Sequence, residues 1–105
     1  MMEMTSVVMS AILEPRRLGL ELLWWELGRG EARALYRMEV ELSRYGVRRI
    51  SSIIKRIIAE KMPYSSVKVV AKSEKGATYI DIRIRVRKRR IEPEGFSDVL
   101  VYSLL

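Results

Sequence analysis

Cysteine and histidine are both absent from this 105-residue chain. Their absence excludes disulfides, thiolate and imidazole metal sites, zinc fingers, a cysteine nucleophile and every catalytic scheme that needs a histidine. Asparagine and glutamine are missing as well, while arginine and glutamate abound. Loss of thermolabile residues on a charge-rich background is a habit of hyperthermophile proteins, so the composition points to a thermophilic archaeon or bacterium. Long apolar runs are lacking too. Met1 to Leu13 carries Glu3 and none of the basic residues of a secretory signal, and the apolar stretch from Leu18 to Leu27 is interrupted by Glu21 and Glu26. These features predict a cytoplasmic protein without membrane contact.

What is present suits one domain over residues 1–105, with 49% hydrophobic residues to supply a modest core. The net charge of +7 is unevenly placed. Residues 1–46 hold 6 basic and 7 acidic side chains, residues 47–90 hold 14 and 3, and residues 91–105 hold 0 and 3, giving −1, +11 and −3. A surface kept soluble by charge mixes the signs, so an excess confined to the middle of the chain points to a polyanion footprint.

Periodicity predicts helices first and strands later. Thr5 to Leu13 fits either state and stays unassigned. Pro15 suits a first helical position, and Arg16 to Leu27 reads as a helix ended by Gly28, apolar nearly all round through Leu18, Leu20, Leu22, Leu23, Trp24, Trp25 and Leu27. So apolar a helix in so short a chain predicts a homodimer through Leu18 to Leu27, with one tryptophan in the core and the other at the interface, in preference to stacking on a base, because leucines surround it. Glu31 to Tyr45 reads as a second helix lined by Leu35, Met38, Leu42 and Tyr45 and stopped by Gly46. The clearest helix follows. Val47, Ile50, Ile53, Ile54, Ile57 and Ile58 form a stripe opposite Arg48, Arg49, Ser51, Ser52, Lys55 and Arg56, and Pro63 marks its end.

Beyond Pro63 the period falls to two. Val67, Val69 and Ala71 alternate with Lys68, Val70 and Lys72, and Ser73 to Gly76 turns the chain into a strand from Ala77 to Arg90. Ile80, Ile82, Ile84 and Val86 occupy one parity of that strand, and Tyr79, Asp81, Arg83, Arg85, Arg87 and Arg89 the other. A third strand is expected from Phe96 to Leu104, after Pro93-Glu94-Gly95. The fold class is therefore α+β, with two or three helices packed on one face of a small antiparallel sheet of about three or four strands and the other face basic and exposed.

Pairing through the Ser73 to Gly76 turn would gather Lys68, Lys72, Tyr79, Arg83, Arg85, Arg87, Lys88 and Arg89 into one candidate nucleic-acid site. Arginine offers forked donors to phosphate oxygens and stacks on bases, and Tyr79 adds an aromatic platform. Asp81 is expected to pair with Arg83 or a cross-strand lysine rather than hold a metal. No catalytic motif emerges: Gly28-Arg29-Gly30 lacks the further glycine and lysine of a phosphate loop, the paired serines have no visible base, and Glu39 and Glu41 diverge on a helix. A non-enzymatic protein without cofactor or metal is expected.

The stretch Val47 to Val86, a basic amphipathic helix followed by a hairpin with arginines on its second strand, broadly resembles the latter half of Alba-type archaeal chromatin proteins. In layout it is also similar to the ThermoDBP-type single-strand binders of thermophilic archaea. Either resemblance implies nucleic-acid binding. A single strand with little sequence preference, DNA or RNA, is the favoured partner, because an open sheet face with Arg and Tyr suits stacking better than groove reading. Two rivals use other residues or partners. A winged helix would read duplex DNA through Arg48, Arg49, Ser52, Lys55 and Arg56, and an interaction subunit would dock an acidic protein or a ribonucleoprotein.

Overall fold

Residues 4–86 are described by the computed structural model. Strict alternation builds the C-terminal hairpin as expected: β3 (Ser65–Glu74) and β4 (Ala77–Val86) pair antiparallel, with Val67, Val69 and Ala71 opposite Ile84, Ile82 and Ile80. The two-residue turn between them places both Lys75 (φ 48) and Gly76 (φ 82) in the left-handed region. That geometry matches the twist of a hairpin, and Gly76 adopts it at no steric cost. The expected strand from Phe96 to Leu104 lies outside the described residues.

The first half corrects the sequence reading. No helix runs from Arg16 to Leu27; a short 3-10 turn (Glu14–Leu18) leads into β1 (Glu21–Gly28). No helix runs from Glu31 to Tyr45 either, because Glu31–Met38 is β2. Gly28 and Glu31 close a hairpin whose turn is Arg29-Gly30, with Gly30 at φ 72. The pair of glycines thus reverses a strand instead of separating two helices. On β2 the buried Ala32, Ala34 and Tyr36 alternate with the half-buried Arg33, Leu35 and Arg37, a period of two disguised by alanine's helical preference. β1 hides its own period because nearly every position is apolar, and its register slips between Leu22 and Trp24.

β2 also pairs antiparallel with β4, so the four-stranded open sheet runs β1-β2-β4-β3. Two α-helices accompany it: α1 (Met4–Ile12), which fills the stretch left unassigned, and α2 (Arg44–Lys61). Gly46 does not end a helix; its N–H donates to the Ser43 side chain, the N-cap of α2. Val8, Ala11 and Ile12 of α1, at spacings of one helical turn, and Ile54 and Ile58 of α2 belong to one core with Ala32, Ala34, Tyr36, Ile80, Ile82 and Ile84.

Two polar anchors fix this core. The buried Tyr36 hydroxyl donates to the Ile12 carbonyl at 2.7 Å, tying the end of α1 to β2, and its burial pushes the phenol up to about 12 despite the opposing field of Arg16. Buried Thr78 donates its single hydroxyl proton to the Val40 carbonyl at 2.7 Å. It therefore accepts from the Leu42 N–H at 3.0 Å and from the Ser73 hydroxyl at 2.9 Å. The connection from β2 into α2 is pinned to β4 by this one side chain.

Candidate nucleic-acid interface

The register assembles the candidate residues in rows across the sheet. Lys68 of β3 stands opposite Arg83 of β4, Lys72 opposite Tyr79, and Ser66 opposite Arg85. Directly paired residues on one face have Cβ atoms about 5 Å apart, so Lys68 and Arg83 present adjoining cations. Both are exposed, and neither has a carboxylate within 4.0 Å among the described residues. With Ser66 and Arg85 they line a shallow depression of about 220 Å³, and a second of about 100 Å³ adjoins it, lined by Lys68, Val70, Asp81 and Arg83. Arg85 and Lys72 meet carboxylates only loosely, at 3.8 Å to Glu31 and 3.7 Å to Glu74. Exposed pairs of that length contribute little to stability and are readily exchanged for another anion. Arg87, Lys88 and Arg89 lie outside the described residues.

The other half of the same face was not anticipated. With β2 beside β4, Arg33 stands opposite Arg83 and Arg37 opposite Tyr79, while β1 brings Glu26 opposite Arg33 and Glu21 opposite Arg37. Asp81 pairs with Arg33 at 3.0 Å, not with Arg83 or a lysine, and the Arg33 guanidinium also lies 5.6 Å from the centre of the Trp24 ring. Arg37 is held by Glu39 at 3.0 Å and Glu21 at 3.3 Å. Glu39 first, then Tyr79, then Glu21 keep its guanidinium even more firmly protonated than usual. Tyr79 is thus half-buried beside Arg37 and offers less open ring than a free platform would.

The tryptophans do not diverge as on a helix. On a strand their side chains take opposite faces: Trp24 meets Arg33 on the outer face, whereas Trp25 pairs with Ala34 of the core parity. Both remain about two-fifths exposed, 40% and 39%, because β1 ends the sheet. A homodimer through a Leu18 to Leu27 helix therefore has no helix to use. The winged-helix arrangement falls on the same ground, since α2 is preceded by a β-hairpin where that motif needs a helix. Among the described residues no helix is long and apolar enough to cross a membrane, and no group of three or more acidic side chains could hold a metal.

No protein-family model, no curated protein and no solved structure matches this chain.

Proposed function

We propose that this protein binds single-stranded nucleic acid with little sequence preference through the β3–β4 half of the sheet. The observation that carries the reading is the Lys68–Arg83 pair, two exposed cations side by side with no carboxylate partner among the described residues. Like charges placed directly opposite destabilise a sheet, so the arrangement suits a ligand that supplies the missing anion. Helices that share a core with Ile80, Ile82 and Ile84 back the sheet, and the opposite parity is left for the ligand. Phosphates would lie along Lys68, Arg83, Arg85 and Lys72, continued in sequence by Arg87, Lys88 and Arg89. Val70, 53% exposed beside Lys68, gives an unpaired base an apolar surface to rest on. A duplex, whose bases are stacked inside, makes no use of that surface.

Titration of labelled single-stranded DNA, single-stranded RNA and duplex DNA at several salt concentrations tests the reading. Single strands should bind tightest, weakening steeply with salt. Absence of binding to all of them at low salt would sink the proposal, and capture of an acidic protein that survives nuclease treatment would favour an interaction subunit instead.

A homodimer also belongs to this proposal, now through strand β1. Its outer edge has no partner strand among the described residues, and Leu23 and Trp25 stay exposed there. A second copy can extend the sheet along that edge. Sedimentation of the wild type and of Leu23→Lys tests this; a dimer unaffected by the lysine would place the contact elsewhere.

A further inference from the structure

Helix α2 carries a second concentration of charge that the sheet does not use. Arg44, Arg48, Arg49, Lys55 and Arg56 are all exposed, and at 100° per residue they fall on one half of the helix surface, with Arg49 and Arg56 opposite the buried Ile54 and Ile58 and with Arg44 and Lys55 at the flank beside Ile58. Arg48 follows Arg44 by four residues, a like-charge spacing that weakens a helix, where a merely solvated face would alternate glutamate and lysine. None of the five has a carboxylate within 4.0 Å among the described residues; Arg49 alone meets a side chain, the Tyr45 hydroxyl at 3.5 Å. Arg17, Arg33, Arg37 and Lys61 by contrast each reach a carboxylate, Lys61 from the end of the same helix to Glu14. Among the described residues the α2 stripe thus gathers five cations without a carboxylate partner on one element, whereas Arg16, Arg29 and Lys75 lack one at scattered positions. Ile54 and Ile58 share a core with Ile82, so Arg49 and Arg56 point away from the sheet and the helix stands on the side opposite Lys68 and Arg83.

We infer that the α2 stripe is a second site for a nucleic-acid phosphate backbone, and that one molecule bridges two separate nucleic-acid segments. Arg44 and Arg56 are about 18 Å apart along the helix axis, a length that spans several phosphates but cannot wrap around to the sheet face. The inference rests on the sheet reading above, and two variants separate their failures. In R48A/R49A/R56A the alanines favour helix, and in K68A/R83A both changed positions are exposed, so each should keep the fold, checked by circular dichroism.

The full-length protein is mixed with two single-stranded oligonucleotides, one carrying a donor dye and the other an acceptor. Wild type should bring the dyes together, as should Leu23→Lys at concentrations where sedimentation shows a monomer, and in that monomeric background each variant should lose the energy transfer while its affinity for one labelled oligonucleotide falls by no more than about tenfold. Transfer that persists when R48A/R49A/R56A is added to the monomeric background overturns the inference, because the sheet face would then bridge without α2. Single-strand binding without transfer in the wild type overturns it while leaving the sheet reading intact. Loss of all binding in K68A/R83A also overturns it, since α2 then holds nothing by itself; loss of all binding in R48A/R49A/R56A overturns both bridging and the sheet site.

Discussion

Replacing Lys68 and Arg83 together by alanine removes the adjoining cations without touching the core, since both are exposed and Ile82 and Ile84 remain in place. Substitutions at such positions usually change stability by no more than about 0.5 kcal/mol each. The effect on binding should be larger and should depend on salt. A single strand that contacts five to seven phosphates has a log-log salt slope of roughly −3.5 to −5, at about 0.7 per phosphate, and losing two contacts makes it shallower by about 1.4. Over a fourfold rise in salt, from about 0.05 to 0.2 M, the ratio of wild-type to variant affinity should therefore shrink by about sevenfold. Fluorescence anisotropy of a labelled oligonucleotide at several salt concentrations reads both slopes. Arg17→Ala serves as the contrast: its guanidinium is engaged by Glu14 and belongs to neither β3 nor β4, so its loss should leave the slope near the wild-type value. Parallel lines for wild type and K68A/R83A would refute the claim that these two side chains meet phosphate, whatever the difference in affinity.

Asp81→Asn should strengthen polyanion binding by removing the acid beside Arg83, while costing about 1 kcal/mol or less because its ion pair with Arg33 is partly exposed; paired titrations and thermal melts check both signs. Thr78→Val keeps the shape but deprives the Leu42 N–H and the Val40 carbonyl of their partner, so urea unfolding should show a loss of about 2 kcal/mol or more. Tyr36 gives a pH dependence. Burial pushes its phenol up to about 12 from the ordinary 10.0, so the folded state holds the proton more tightly. The stabilisation is complete below pH 10 and lost as pH rises from there towards 12. Unfolding measured at neutral and at alkaline pH should show the wild type losing more stability than Tyr36→Phe; equal losses would refute the assignment.

What could be read in the sequence followed from how strictly each segment keeps one period. In β4 every second residue from Ile80 to Ile84 is isoleucine and those between are polar, so strand, face and hairpin register all follow from the chain. α2 was equally plain, because its isoleucines return at three and four residues and its basic residues fill the gaps. β1 and β2 could not be read that way. Leu22-Leu23-Trp24-Trp25 is apolar on both faces, which fits a buried helix and a bulged edge strand alike, and Ala32 and Ala34 favour helix in isolation. Tertiary pairing with β4 decides against that preference. The local sign was Gly28-Arg29-Gly30, whose second glycine takes a left-handed dihedral suited to a hairpin turn as well as to a helix break.

That misreading mattered for the site, because β2 determines which bases stay free. Charge counting shows a near-neutral first half and a basic middle, but not how folding distributes the carboxylates. Arg37 takes Glu21 and Glu39, both from the first half, so those acids never reach the β3–β4 face. Asp81 is the sole acid of β4, and in an isolated hairpin it would serve Arg83 or a lysine. With β2 alongside, it is drawn to Arg33, which is more buried and already seated against Trp24. The Arg33 Nε is buried without a partner, so the Asp81 carboxylate on Nη2 is that guanidinium's one hydrogen bond among the described residues. A carboxylate stabilises a half-buried cation more than an exposed one that water already solvates. Engaging Asp81 at Arg33 therefore leaves Arg83 without a carboxylate partner among the described residues, because the neighbouring strand takes up the acid that an isolated hairpin would have given it.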